Sequence, residues 1–264
     1  MSTRARHPEH PTLLLQLSDL HLCEQQGEAD VRLARAVAAA RELQPRAVAL
    51  LLSGDIADEP TAAVYERAQR TIAPLRLPIH AIPGNHDDRD LLAMTFAGRE
   101  SASGAPVHVL AYVGALRLVG CDTTVPGSAA GALGATQMQW LAQALSNEPA
   151  RPTLLALHHP PFATGVRGMD AIGLDTADAR RLETLLEANP QVLAVTCGHV
   201  HRTATSQIAG RPVTICPSTN STLRLDLRAE DGLPLRFDEQ PVGFAVHVLS
   251  EGRLVSHVQA LEAR

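Results

Sequence analysis

Lysine is absent from this sequence of 264 residues, whose 23 basic side chains are all arginine. Chemistry that needs a lysine amine, such as a Schiff base or the lysine of a phosphate-binding P-loop, is therefore excluded. Aromatic residues are also scarce, at 3%, so we expect an aliphatic core and no row of aromatic rings for stacking against single-stranded nucleic acid. The net charge of −5 also argues against binding of extended nucleic acid.

The sequence has few cysteines and no long hydrophobic run near its start. The cysteines are widely spaced, without the close pairs of a zinc ribbon or a redox motif; they are Cys23, Cys121, Cys197 and Cys216. Such thiols are typical of a reduced cytoplasmic protein. Residues 1–11 are polar, and the first apolar run of about six residues is too short for a signal peptide or a membrane span. We therefore expect a cytoplasmic protein with no membrane partner.

In the first third of the chain, short apolar runs alternate with segments that have helical hydrophobic spacing. Short apolar runs predict strands at 13–17, 47–52 and 77–82, and helical spacing predicts helices at 28–43, 61–72 and 89–96. This order predicts right-handed crossovers and a mainly parallel sheet. The length suits one α/β domain with a substantial core, so we expect residues 1–264 to form a single domain.

The pattern changes after residue 100. We expect a hairpin at 107–112 and 116–121, strands at 153–157, 192–197, 203–208 and 213–216 that complete a second sheet, and helices at 135–145 and 176–188. The long loop 158–175 is expected to be a wall of the site. Residues 217–243 are expected to form a partly irregular excursion near the site. A closing hairpin at 244–249 and 253–259 is expected to supply an edge strand for a homodimer.

Polar motifs follow five of the predicted strands, at the point where each strand ends. They are Asp19-Leu20-His21, Gly54-Asp55, Gly84-Asn85-His86-Asp87, His158-His159 and Gly198-His199-Val200-His201. Open α/β sheets place their sites at the carboxyl ends of strands. Two divalent ions held close together need carboxylate, imidazole and amide ligands of this kind. Taken singly, Asp19 or Asp87 would suit a helix N-cap, but the whole set predicts one convergent metal site.

In this order the motifs resemble those of the calcineurin-like metallophosphoesterases, from residue 13 to about residue 201. The sequence is most similar to the class III cyclic nucleotide phosphodiesterases and the glycerophosphodiesterases, because of its Gly-Asn-His-Asp-Asp and His-His-Pro-Pro-Phe stretches. The resemblance implies a four-layer α/β/β/α sandwich of two mixed sheets. A dinuclear metal site is then expected at the rim of both sheets.

The resemblance also implies a role for each polar residue of the motifs. Asp19, His21 and His201 would bind one ion, Asn85, His158 and His199 would bind the other, and Asp55 would bridge them. His86 would bind no metal and would face the substrate as the catalytic residue. The choice of His158 over its neighbour His159 rests on the resemblance alone. Mixed nitrogen and oxygen ligands suit Mn, Fe or Zn, expected about 3.5 Å apart.

Departures from related subfamilies narrow the expected activity. Ile56-Ala57-Asp58-Glu59 replaces the signature that protein phosphatases carry after Gly54-Asp55, and Asp58 stands where purple acid phosphatases have a tyrosine ligand. Lipid A pathway hydrolases carry arginine in place of His86. We therefore expect hydrolysis of a small phosphodiester, a 3',5'-cyclic nucleotide such as cAMP or a glycerophosphodiester, by a metal-bound hydroxide. The alternatives are a phosphomonoesterase or nuclease on the same fold, or a non-catalytic binding module.

Overall fold

A computed structural model describes residues 11–98, 103–228, 232 and 234–261. In these ranges, two large β-sheets pack face to face and helices cover their outer faces. The polar residues 1–10, where no signal peptide is expected, lie outside the described residues. So do 229–231 and 233 of the segment expected to be irregular. No helix in the described part of the chain is long and apolar enough to cross a membrane.

The strands and helices follow the predicted order closely. The strands are β1 (Thr12–Leu17), β2 (Ala49–Ser53), β3 (Ile79–Ile82), β4 (Val109–Val113), β5 (Leu116–Gly120), β6 (Thr153–Ala156), β7 (Val192–Cys197), β8 (Thr205–Ile208), β9 (Arg211–Ile215), β10 (Thr222–Leu223), β11 (Phe237–Asp238), β12 (Val242–Ser250) and β13 (Arg253–Leu261). The helices are α1 (Glu28–Arg41), α2 (Ala62–Ile72), α3 (Arg89–Leu92), α4 (Ala135–Ser146), α5 (Arg167–Asp170) and α6 (Thr176–Glu187). A 3₁₀ turn (Ala73–Leu75) follows α2, and a π-helical turn (Ala93–Ala97) follows α3.

The first sheet has the strand order β13-β12-β1-β2-β3. Strands β1, β2 and β3 are parallel, as the alternation of strands and helices predicts. Strand β12 adds to the other side of β1 in antiparallel register, with Val246 opposite Leu15. The closing hairpin at the end of the chain therefore completes the sheet that the start of the chain begins.

The second sheet has the order β4-β5-β6-β7-β9-β8. Its central strands β5, β6, β7 and β9 are parallel, while β4 and β8 pair antiparallel to their neighbours at the two edges. The expected hairpin of β4 and β5 is confirmed. Among its described residues, the segment 217–243 that was expected to be irregular contains the short β10–β11 ribbon and the first two residues of β12.

Strand β1 shows why these strands read as continuous apolar runs. Leu13, Leu15 and Leu17 pack towards the helices, and Leu14 packs between the two sheets. A strand covered on both faces has no position for a solvated side chain, so the alternation of polar and apolar residues disappears. Separate apolar clusters lie between each sheet and its helices and between the two sheets. The expected four-layer α/β/β/α sandwich of two mixed sheets is confirmed.

Candidate metal centre

Five of the predicted ligands adopt a backbone conformation that side chains other than glycine seldom adopt. They are Asp19 (φ 53°), His21 (φ 48°), Asp55 (φ 52°), His199 (φ 70°) and His201 (φ 55°). Left-handed conformations of this kind concentrate at functional sites, where the surrounding structure holds them in place. Each of these residues follows the carboxyl end of a strand, where the chain turns sharply and directs the side chain to the sheet rim.

A first cluster brings together Asp19, His21, Asp55 and His201, each offering one ligand atom within 4.8 Å of the others. The two Nε2 atoms of His21 and His201 lie 2.8 Å apart. His21 Nε2 lies 3.6 Å from Asp55 Oδ2, and His201 Nε2 lies 3.6 Å from Asp19 Oδ1. All four residues are buried. This is the set that the sequence assigns to one ion and its bridging carboxylate.

The ligand set expected for the second ion lies on the other side of Asp55. His158 Nε2 is 3.3 Å from Asp55 Oδ2, so this one oxygen is close to a ring nitrogen of His21 and to one of His158. Of the seven buried side-chain polar atoms without a hydrogen-bond partner among the described residues, three belong to this predicted ligand set: Asn85 Oδ1, His158 Nε2 and His199 Nε2. Burying such atoms without a partner is costly. Asn85 Oδ1 and His199 Nε2 carry lone pairs suited to a cation, and His158 Nε2 offers one once its proton is displaced. The residues therefore fit a second metal ion at this point.

Hydrogen bonds fix which ring nitrogen His21 and His158 offer. His21 Nδ1 donates to Asp58 Oδ1 at 2.8 Å, and His158 Nδ1 donates to the carbonyl oxygen of Ser53 at 2.7 Å. His201 Nδ1 contacts Ser221 Oγ at 3.1 Å. A proton held on Nδ1 leaves the lone pair on Nε2, which is how metal-binding histidines are commonly oriented.

The structure separates His158 from His159 through their hydrogen bonds. Both ring nitrogens of His159 are engaged with protein groups: Nε2 donates to the carbonyl oxygen of Ala129 at 3.1 Å, and Nδ1 contacts Thr123 Oγ1 at 2.7 Å. Burial lowers the pKa of His159 to about 3, so the ring is neutral. It has no nitrogen left for an ion, which favours His158 as the ligand.

Charge interactions across the centre link Asp55 and His158. Burial by itself would lower the pKa of His158, but the carboxylate of Asp55 outweighs it and raises this pKa to about 9. The same contact lowers the pKa of Asp55 well below its ordinary value, although burial opposes the shift. Burial lowers the pKa of His201 to about 4 and that of His199 as well. A cation that binds at His158 must displace its proton, so binding should release protons.

His86 lies beside the ligands but is directed to a different partner. Its Nδ1 is 2.9 Å from Asp58 Oδ1, and its side chain is 43% exposed. Its backbone N–H donates to Asp55 Oδ1 at 3.0 Å. The hydrogen bond to Asp58 raises the pKa of His86. The ring therefore carries a proton readily and reaches the cavity, as expected for a residue that faces substrate.

Three glycines allow the motifs to approach one another. A Cβ on Gly54 would lie 2.4 Å from His158 Nδ1, and one on Gly198 would lie 2.1 Å from Ser18 Oγ. A Cβ on Gly84 would lie 2.2 Å from Asp55 Oδ1. Each glycine precedes a predicted ligand, and a side chain at any of the three would displace groups of the centre.

The sequence analysis assigned no role at the site to Asp58 or Asp87. Asp58 holds both His21 and His86 through the same oxygen. Asp87 is not a helix N-cap: its carboxylate accepts hydrogen bonds from the backbone N–H groups of Gly84, Ile56 and Ala57, and Asp88 is the N-cap of α3. Asp19 likewise accepts from the backbone N–H of His199 rather than capping a helix. The position of Asp58, three residues after the predicted bridging residue Asp55, was the one signal in the sequence that could have indicated its role.

A cavity of about 460 Å³ opens above these residues. His21, Asp55, Asn85, His86, His199 and His201 form its polar floor. Met169 and Ile172, from the long loop predicted to be a site wall, contribute an apolar side. Asn220, Ser221, Leu235 and Phe237 close the opposite side. Its size is in the usual range for sites that bind small molecules.

The chain is similar in sequence to known phosphoesterases and phosphodiesterases. The calcineurin-like phosphoesterase family model matches residues 12–203. A probable glycerophosphodiester phosphodiesterase of Arcobacter nitrofigilis is 28% identical over 90% of this chain and 89% of its own length. A cAMP/cGMP dual specificity phosphodiesterase of Mycobacterium tuberculosis is 32% identical over 85% of this chain and 73% of its own length. A dimetal phosphatase from Danio rerio has the same fold, with a TM-score of 0.62 at 16% identity, over 94% of this chain and 96% of that one.

Proposed function

The chain belongs to the calcineurin-like phosphoesterase family, and on that premise we propose that it hydrolyses small phosphodiesters with two divalent metal ions. The observation that carries the proposal is the set of unpartnered buried atoms, Asn85 Oδ1, His158 Nε2 and His199 Nε2, beside Asp55. Asp19, His21 and His201 would hold the first ion, Asn85, His158 and His199 would hold the second, and Asp55 would be a ligand of both. The donors suit Mn, Fe or Zn.

The residues around the two metal positions have different roles in the proposed reaction. When bound, the two ions supply a water of lowered pKa and neutralise charge on the phosphate oxygens. Asp58 holds the Nδ1 side of His86, so the opposite ring nitrogen is available at the cavity. From there His86 donates its proton to the departing alkoxide oxygen. The apolar side formed by Met169 and Ile172 limits water around the substrate.

We place two substrates first, a 3',5'-cyclic nucleotide such as cAMP and a glycerophosphodiester. Relatives of both kinds support this choice, and the cavity of about 460 Å³ is large enough for either. Parallel assays of cAMP and glycerophosphocholine with added Mn, with metal content measured on the same samples, test the proposal. Hydrolysis of neither compound by a protein that carries two ions would contradict it.

The rival activities give different results in the same assay. A phosphomonoesterase would act on a nitrophenyl monoester faster than on the matching diester, and a nuclease would cleave DNA. A binding module would bind the ions without turnover. The presence of His86 at the cavity and of ligands for two ions favours catalysis over binding alone.

The location and the organisation of the chain are part of the proposal. All four cysteines are free thiols and three of them are buried, which is consistent with the cytoplasm. Cell fractionation with a tagged chain would test this location. We also propose that residues 1–264 unfold as one domain. One coincident urea transition by fluorescence and by circular dichroism is expected, and separate transitions would contradict it.

We further propose that β13 pairs with β13 of a second copy. This strand forms the edge of the first sheet and exposes Val255 and Val258, at 50% and 40%. Arg253 is its only charged residue, whereas exposed edges are usually protected by charge or proline. Antiparallel pairing of two identical edges closes as a dimer. Light scattering should give about twice 28.1 kDa, and a monomer mass would remove this proposal.

A further inference from the structure

One wall of the cavity above the metal ligands is the loop that joins β9 to β10. Ser218 Oγ accepts the backbone N–H groups of Asn220 and Ser221 at 2.9 and 3.1 Å. The same hydroxyl donates to the carbonyl oxygen of Asp19 at 2.7 Å, and Ser221 Oγ contacts His201 Nδ1 at 3.1 Å. The loop is therefore attached to two of the predicted ligands of the first ion, and Asn220 lies between these attachments in the chain.

A buried arginine of α1 holds Asn220 in place. Arg32 is 8% exposed, and its Nη1 donates to the carbonyl oxygen of Asn220 at 2.6 Å and to Asn220 Oδ1 at 3.2 Å. Its Nη2 lies 3.5 Å from a carboxylate oxygen of Glu239, whose side chain is exposed. A charged group is costly to bury unless it is paired and hydrogen-bonded. The two bonds to Asn220 compensate part of this cost.

The contact with Arg32 decides which atom of the Asn220 side chain is left for a ligand. A guanidinium group can only donate, so the atom that faces Arg32 must be the amide oxygen, Oδ1. The amide nitrogen, Nδ2, is the other branch of the amide and has no hydrogen-bond partner among the described residues. Asn220 is only partly buried and lines the cavity. The side chain therefore offers an N–H donor of fixed orientation to a ligand there.

A neutral donor outside the ligand set suits a neutral acceptor of the substrate. The two ions would contact the phosphate oxygens, which leaves the alcohol part of the diester for other groups of the cavity. Both substrates that we place first carry a hydroxyl on the carbon next to one that bears an ester oxygen. It is the 2'-hydroxyl of a 3',5'-cyclic nucleotide and the 2-hydroxyl of the glycerol in a glycerophosphodiester. This vicinal hydroxyl is thus an acceptor common to both.

We infer that Asn220 Nδ2 donates a hydrogen bond to the oxygen of the vicinal hydroxyl, and that Arg32 positions the amide for this contact. The inference rests on the proposed function, because it places the scissile phosphate at the metal ligands. It narrows the substrate class to phosphodiesters in which one hydroxyl of a vicinal diol is esterified and the other is free. Asn220 contacts the substrate, whereas Arg32 acts only through Asn220.

Two pairs of compounds isolate this contact. Only the 2'-hydroxyl distinguishes cAMP from 2'-deoxy-cAMP, and only the 2-hydroxyl distinguishes glycerophosphocholine from 3-hydroxypropyl phosphocholine. The pair whose parent compound the enzyme hydrolyses with added Mn is the one measured. The ratio of kcat/KM with the hydroxyl to kcat/KM without it is compared between the wild type and each variant. Any difference in intrinsic reactivity between the two compounds cancels in this comparison.

Asn220→Ala is the direct test of the contact. The variant keeps the backbone carbonyl to which Arg32 donates, so we expect it to fold. A neutral hydrogen bond contributes modestly in water, so the ratio should fall by about five-fold. Asn220→Ser, which shortens the side chain, is the second variant if Asn220→Ala fails to fold, and the ratio should fall in the same direction. Arg32→Met should lower the ratio by a smaller factor, because the amide can then rotate.

Asn147→Ala is the matched control. This asparagine is exposed at the C-terminal end of α4 and is not among the residues that line the cavity, so the ratio should equal that of the wild type. Elemental analysis should give the same metal content for Asn220→Ala as for the wild type, because Asn220 Oδ1 is bonded to Arg32. A loss of metal would assign Asn220 to the metal centre and overturn the inference.

The remaining outcomes separate the inference from the proposed function. Equal losses of kcat/KM on both members of the pair in folded Asn220→Ala would show that the amide does not bind the vicinal hydroxyl, while hydrolysis itself stands. No hydrolysis of either parent compound by a protein that carries two ions would overturn the proposed function instead. A lower ratio in the Asn220 variant, with the metal retained and the control unchanged, would support the inference.

Discussion

A single methyl group at Gly84 should disable the proposed metal centre. The Cβ of Gly84→Ala would lie 2.2 Å from Asp55 Oδ1, 2.4 Å from the backbone nitrogen of Asp55 and 2.7 Å from His158 Cε1. Two of these three atoms belong to predicted ligand side chains, and the third belongs to the backbone that carries one of them. The substitution therefore acts on the bridging position without changing any ligand.

The expected losses in rate and in stability follow from these distances. An ordinary contact begins at 3.4 Å, so Asp55 and Gly84 must separate by about 1 Å at the backbone nitrogen. The contact with backbone cannot be relieved by rotating a side chain. A displacement of about 1 Å in a reacting group costs on the order of 100-fold in rate. Overpacking of a buried site costs about 1–3 kcal/mol of stability as well.

Two control substitutions, Gly120→Ala and Gly27→Ala, distinguish the effect of displaced ligands from the effect of strain in the fold. A Cβ on Gly120 would lie 2.7 Å from Ile82 Cγ2 and 3.1 Å from Val109 Cβ, which are apolar atoms between the sheets. Gly120→Ala should therefore lose stability but keep its ions. Gly27 has extended backbone and no atom within 4 Å of such a Cβ, so Gly27→Ala should resemble the wild type.

Three measurements on each variant complete the test. Elemental analysis gives metal per chain, urea unfolding gives the free energy of unfolding, and release of nitrophenolate from a diester gives kcat. Gly84→Ala should combine a loss of metal with a fall in kcat on the order of 100-fold. Full metal content and wild-type kcat in this variant would refute the assignment of Asp55 and His158. Equal losses in Gly84→Ala and Gly120→Ala would show that strain alone is responsible.

Three further predictions concern single side chains. Asp55→Asn should lower the metal content at both positions and nearly abolish turnover, because Asp55 is the ligand that we propose both ions share; two ions retained per chain would contradict this bridging role. His86→Ala should keep both ions and lose on the order of 100-fold on an alkyl diester, but much less on a nitrophenyl diester, because a general acid matters most for a poor leaving group; equal losses would assign His86 to phosphate orientation. Burial lowers the pKa of His247 to about 4, so below about pH 6.5 the unfolded chain binds a proton that the folded chain does not. Between pH 7 and pH 4, the free energy of unfolding of the wild type should therefore fall by on the order of 3 kcal/mol more than that of His247→Gln. Urea unfolding at several pH values measures this difference, and an equal fall in the two proteins would contradict the prediction.

The sequence alone predicted most of the regular structure, since that depends on local pattern. The periodic spacing in α1 and the fully apolar run of β2 reflect how each segment is buried, and burial on one face or on both leaves a direct pattern in the residues. The polar motifs were likewise visible, because parallel strands bring their carboxyl ends to one edge. The sequence therefore predicted that Asp19, Asp55 and His199 would meet at one rim.

Contacts between distant segments required the tertiary structure. No local pattern places β12 beside β1, because an antiparallel addition at the end of the chain is only one of several edges it could take. Asp58 reads as an ordinary surface carboxylate until its oxygen is seen to join His21 and His86. The choice between His158 and His159 also depends on which ring nitrogens find partners in another segment.

The cavity above the predicted metal ligands shows the same division. Met169 and Phe237 are far apart in the chain, and no motif marks either of them. They line one cavity because segments that are distant in sequence pack together. Hydrophobic periodicity records whether a residue is buried, but it does not record which other segment buries it. The sequence therefore determined which residues are buried and which polar residues stand at the strand ends. Packing between distant segments decided the hydrogen-bond partners, the histidine tautomers and the shape of the cavity.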